Sequence, residues 1–147
     1  MKQVSFVHSL KPILDGAGIY RNLDTDDVTQ LLIRYWQAIE EVFPEAIAEP
    51  KQHVIQKTVG VFPLHTVATQ VFDLVRTKES VITKDGLVEV IRSINANIKN
   101  EGLYEAGSTF WHSKEGEAGK FTGAKGFRLL ADILERNMPE MKTLKVV

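Results

Sequence analysis

The sequence predicts an all-α domain, a single compact bundle of about five helices with long irregular connections. Three observations carry that prediction. Four stretches repeat apolar residues at three- and four-residue spacing, the period of a helix face. No stretch shows the sustained two-residue alternation of a half-buried strand. The 147 residues, 44% hydrophobic and 25% charged, make one domain of ordinary globular composition.

In chain order, VSFVHSLKPIL reads as a short helix, with Asp15-Gly16 and Gly18 as stop signals. DTDDVTQLLIRYWQAIEEVF is the clearest element. Val28, Leu31, Leu32, Tyr35, Trp36, Ile39 and Phe43 share one face, Asp24 or Thr25 can cap its start, and Pro44 stops it. VFPLHTVATQVFDLVRT predicts a helix with Pro63 in its first turn, where a missing N–H costs nothing, and a stripe from Leu64 through Val71 to Val75. The next runs from Lys84, capped by Thr83, to Lys99 with Leu87, Ile91, Ile94 and Ile98 inward. The last runs from Ala124 to Asn137, capped by Thr122, with Phe127, Leu130, Ile133 and Leu134 inward. The core is expected within residues 25–137, with 1–24 and 138–147 peripheral. Residues 16–23, 45–56 and 101–121 read as irregular. The last of these is long for a structureless loop, so structure or function is expected in it.

Composition narrows the function classes. Without cysteine there is no disulfide framework and no thiolate chemistry. No run approaches the roughly 18 apolar residues of a membrane span, and the N-terminus makes a poor signal peptide. A cytoplasmic protein with no membrane partner is expected. A net charge of −1 argues against a strongly electrostatic nucleic-acid binder. The charge is uneven, however: residues 1–50 are acidic, and residues 111–147 carry seven basic side chains against five acids.

GEAGKFTGAKGF, residues 116–127, is the stretch that most resembles a phosphate cradle. It fails as a nucleoside-triphosphate loop: Gly116 lies too close to Gly119-Lys120, Phe121 stands where Ser or Thr would ligate magnesium, and no buried strand precedes it. It reads first as a turn into the last helix and second as N–H groups flanked by Lys120 and Lys125 that could hold a phosphate oxygen. His8, His53, His65 and His112 show no metal-ligand spacing, and no nucleophile motif appears. Neither an enzyme nor a cofactor is expected. Phe110-Trp111 has two readings, a ring that stacks on a base or a plug that closes the core.

Three segments, YWQAIEEVFPEA, QKTVGVFPLHTV and FWHSKEGEAGKFTGAKGFRLLADIL, resemble the C-terminal part of DGQHR-domain proteins. That group includes DndB-like regulators associated with bacterial DNA phosphorothioate modification. The matching features are Ala38, Ile39, Phe43 and Pro44; Lys57, Thr58 and Gly60; and Trp111, Gly119, Gly123 and Gly126. The naming Asp-Gly-Gln-His-Arg motif is absent, so the chain reads as a fragment or a stand-alone relative of the helical tail. The resemblance implies a non-enzymatic helical module of bacterial or phage origin with a DNA-associated accessory or regulatory role. Its implied partners are DNA and an α/β domain or protein carrying the missing motif. An interaction or oligomerisation domain without nucleic-acid contact is the alternative. Direct contact with DNA would fall to Lys57, Lys120, Lys125 and Arg128, with Trp111 as the stacking residue.

Overall fold

A computed structural model describes residues 3–15 and 18–140, and over that span the fold is all-α. The helices are α1 (Gln3–Ser9), α2 (Lys11–Leu14), α3 (Gly18–Arg21), α4 (Thr25–Val42), α5 (Pro44–Ala48), α6 (Thr58–Thr66), α7 (Ala68–Glu79), α8 (Lys84–Glu101) and α9 (Gly123–Arg136). Two 3-10 turns, Gly107–Trp111 and Glu117–Lys120, fill the long connection before α9. Gly16, read as a stop signal, and residues 141–147, read as peripheral, lie outside the described residues.

The two long helices match their patterns. Asp24 caps α4 by accepting from the Asp27 N–H at 2.8 Å, and Thr83 caps α8 by accepting from the Gly86 N–H at 3.0 Å. α4 buries Leu31, Tyr35 and Ile39 against α8, which presents Leu87, Ile91, Ile94 and Ile98. Pro44 ends α4 but also opens α5, because proline at a first helical position gives up an N–H that has no intrahelical partner.

The predicted Pro63 helix is two helices. α6 begins at Thr58, so Pro63 sits inside it, and α7 leaves at 42° after a break at Val67. Proline deprives the Val59 carbonyl of its intrahelical donor, and α6 ends three residues later. α6 is short and carries Gly60, both unfavourable on their own. It survives because it is apolar nearly all round and central: α1, α2, α7, α9 and the 117–120 turn all pack on it.

Leu10 separates α1 from α2, so the first predicted helix is also two. The first residues are not peripheral, since Ile13 and Tyr20 belong to the core. Tyr20 reaches further, donating its hydroxyl to Asp73 on α7. Phe110 and Trp111 enter the same core from the 107–111 turn, beside Phe43 and Leu134.

Candidate nucleic-acid interface

The interface begins with the way the 107–121 connection is folded. Trp111 is 1% exposed, wedged edge-on to Phe43 at 5.9 Å and to Phe110 at 5.2 Å. Its carbonyl accepts from the Val54 N–H at 2.8 Å, and Ser113 N–H reaches the Gln52 carbonyl at 2.9 Å. The turn is thereby tied to residues 52–54, where His53 and His112 form an isolated antiparallel bridge. Trp111 is therefore the core plug, and its ring offers no face to a base. The stacking role expected of it is withdrawn, because burying so large an apolar surface outweighs what stacking in water could return.

The glycine loop then folds back on this turn. A Cβ at Gly116 would collide with the carbonyl oxygens of Thr109 and Phe110, and one at Gly119 with the Ser113 carbonyl. These two glycines exist for backbone-to-backbone contact, which answers the question their spacing raised. The loop delivers the chain to α9 through Thr122, whose side chain makes no capping bond. The cap expected of Thr122 is absent because its hydroxyl does not meet the first-turn N–H groups.

Three basic side chains, Lys57, Lys120 and Lys125, lie near the starts of α6 and α9, and Arg128 lies further along α9. Lys57 occupies the N-cap position of α6, and α6 likewise has no side-chain cap. Lys125 and Arg128 stand three residues apart on α9, both exposed and without an ion pair among the described residues. Lys120 is exposed but bonds Glu117 at 3.0 Å, which offsets part of its charge. The two helices pack together, with Phe62 stacked on Phe127 at 5.4 Å between centroids. Lys57 and Thr122 each precede that pair by five residues, about 7.5 Å along either axis. Each uncapped N-terminus thus lies about 7.5 Å from one aromatic contact, and the 117–120 turn also packs on α6. Uncapped first-turn N–H groups and the positive ends of two helix dipoles favour an anion there.

The histidines behave differently from their scattered spacing. His53 and His112 meet edge-on at 5.3 Å. His53 Nδ1 donates to the Glu49 carbonyl, and His112 Nδ1 accepts from the Lys114 and Glu115 N–H groups. Among the described residues no three His, Cys, Asp or Glu side chains are arranged to hold a metal.

His65 builds a constellation that the sequence did not announce. Trp36 Nε1 donates to His65 Nε2 at 3.0 Å, Ser9 Oγ lies 2.9 Å from His65 Nδ1, and Ser9 Oγ–H donates to the Phe6 carbonyl. An indole nitrogen only donates, so Nε2 must be the acceptor and the proton sits on Nδ1, facing Ser9. The pair is a serine–histidine contact in which the imidazole cannot take the serine proton at Nδ1. It works as a one-way chain of donors that joins α4, α6 and α1. Burial pushes the His65 pKa down to about 4, outweighing the bond to Ser9. Ser9 and His65 are far apart in sequence and share no motif, so only the packing of α1 on α6 reveals them.

No family model, no curated protein and no solved structure matches the chain.

Proposed function

We propose that this chain is a non-enzymatic helical module that associates with DNA through phosphate contacts, in an accessory or regulatory role. The observation that supports the reading most is the pair of uncapped helix N-termini, α6 and α9, each about 7.5 Å from one aromatic contact, with Lys57, Lys120 and Lys125 near them and Arg128 further along α9. Phosphate contacts of this kind position a protein on the duplex without reading sequence. Burial of Trp111 removes the one stacking residue, so little preference between base sequences is expected. The resemblance to DGQHR-domain proteins adds the DNA context, and an α/β partner carrying the missing motif remains part of the proposal.

Fluorescence anisotropy with a labelled duplex at low salt tests it. Binding in the micromolar range is expected, and log K should fall with log salt at a slope of about −0.9 per phosphate contacted, about −3.6 if all four cations engage. The triple variant Lys57→Glu, Lys125→Glu, Arg128→Glu should lose binding by tenfold or more while its circular dichroism is unchanged, since all three side chains are exposed. Absence of binding at tens of micromolar in low salt would end this reading.

A further inference from the structure

A neutral imidazole can accept a hydrogen bond at only one of its two nitrogens. In His65 that acceptor is Nε2, held by the indole N–H of Trp36 at 3.0 Å, while Nδ1 faces the Ser9 hydroxyl at 2.9 Å. The two sides of the ring therefore answer a proton in opposite ways. A proton at Nε2 meets the Trp36 N–H, donor against donor, whereas the bond from Nδ1 to Ser9 becomes charge-assisted and stronger. No carboxylate offsets the new charge. The ring is met by Phe6 and Ser9 of α1 and by Tyr35 and Trp36 of α4. On α1 the one ionisable group is His8, which is exposed. On α4 Tyr35 faces the ring at 6.5 Å, but its hydroxyl is donated to the Leu64 carbonyl, and burial pushes its pKa well above the usual tyrosine range. Asp26, Asp27, Arg34, Glu40 and Glu41 of the same helix are exposed. Among the described residues no side chain of α2, α7, α9 or the 117–120 turn, the other elements packed on α6, bonds the ring.

We propose that His65 and Trp36 form an acid-sensitive switch: protonation of His65 expels the Trp36 indole from its seat, water takes its place at Nε2, and the imidazolium stays bonded to Ser9. Trp36 is the partner that yields because it is only half-buried, whereas Ser9 is fully buried. Its backbone is held by other means. Tyr35 beside it is bonded to the Leu64 carbonyl, and Leu31, Ala38 and Ile39 lie in the core, so the indole leaves without taking α4 along. The direction follows from proton linkage. Burial holds the pKa of the seated ring down to about 4, against about 6.5 for a ring in water. The swung-out form therefore binds the proton more tightly and gains on the seated form as pH falls through that window. Each pH unit inside it raises the ratio of swung-out to seated by up to about tenfold, and the ratio is level above pH 6.5 and below about pH 4. The switch uses none of Lys57, Lys120, Lys125 or Arg128, so it stands or falls independently of DNA binding.

Fluorine NMR of the full 147-residue chain labelled with 5-fluorotryptophan tests it. The chain has two tryptophans, Trp36 and Trp111, so two signals arise, and Trp36→Phe assigns them. Between pH 7 and pH 4 the Trp36 signal should move toward the position of the free amino acid in a one-proton transition. The signal of Trp111, 1% exposed in the core, should hold its place until the fold melts. The His65 ring protons, followed in the same samples, should titrate with the same midpoint. His65→Gln, which cannot take the proton, should keep the Trp36 signal fixed over the whole range, and His8→Gln should leave the transition unchanged. A Trp36 signal that moves only together with that of Trp111 overturns the inference. So does a transition that persists in His65→Gln, one that vanishes in His8→Gln, or a Trp36 midpoint that differs from that of the His65 ring.

Discussion

Single residues in this protein carry consequences that composition does not hint at, and His65 is the clearest. Its ring is fully buried, and both nitrogens are engaged, one accepting from Trp36 and one donating toward Ser9. A proton added at Nε2 would set two donors against each other. The unfolded chain accepts that proton near pH 6.5, while the folded chain resists it until about pH 4. Across that window the unfolded state binds more protons, so stability falls as pH falls, by roughly 3 kcal/mol in all, and this contribution is level above and below it. Urea titrations from pH 7 to pH 4 should show the loss. His65→Gln should be less stable at pH 7 yet lose less on acidification, and an equally steep loss in that variant would assign the effect to other groups. Gly116 makes a second residue-scale prediction. Gly116→Ala drives a methyl into two carbonyl oxygens and should cost about 1–3 kcal/mol of stability, read as a lower denaturation midpoint. Gly102→Ala meets no atom within 4 Å and should cost only the left-handed backbone strain, about 1–2 kcal/mol.

At the scale of elements, helix ends separate signals that look alike in sequence. Thr83 and Thr122 both precede an amphipathic run, and both read as caps. Only Thr83 bonds a first-turn N–H; Thr122 does not. Thr83→Ala should therefore cost about 1 kcal/mol, and Thr122→Ala close to nothing, in matched thermal melts. Equal effects would show that the open end of α9 closes in solution. The same contrast explains how far the helices were legible. α4 and α8 are long, periodic and properly capped, so local sequence states them almost to the residue. α6 could not be placed, because Pro63 and Gly60 argue against a helix there and only burial on every side overrides them. The break between α1 and α2 falls at a leucine inside an apolar run, where nothing local signals a stop.

At the scale of the whole molecule, one short helix ties the fold together: α6 packs on α1, α2, α7, α9 and the 117–120 turn. Lys57 stands at the start of α6 and Lys125 in the first turn of α9, and on α4 acids outnumber bases.

The candidate interface was half legible. Lys57, Lys120, Lys125 and Arg128 were named from loop–helix junctions, and α6 and α9 pack on each other through Phe62 and Phe127. Trp111 was named with them, because a large aromatic among Gly, Ser, His and Lys looks the same locally whether it faces water or the core. By itself, the sequence determined the fold class, the faces of α4, α7, α8 and α9, and the chemistry that composition excludes, since all of these follow from period and content. Only the tertiary structure decided that Trp111 is a plug, that Gly116 and Gly119 serve contact, and that Ser9, His65 and Trp36 form one hydrogen-bonded chain. The physical reason is separation: those outcomes depend on which backbone lies against which across dozens of residues, and periodicity carries no record of that.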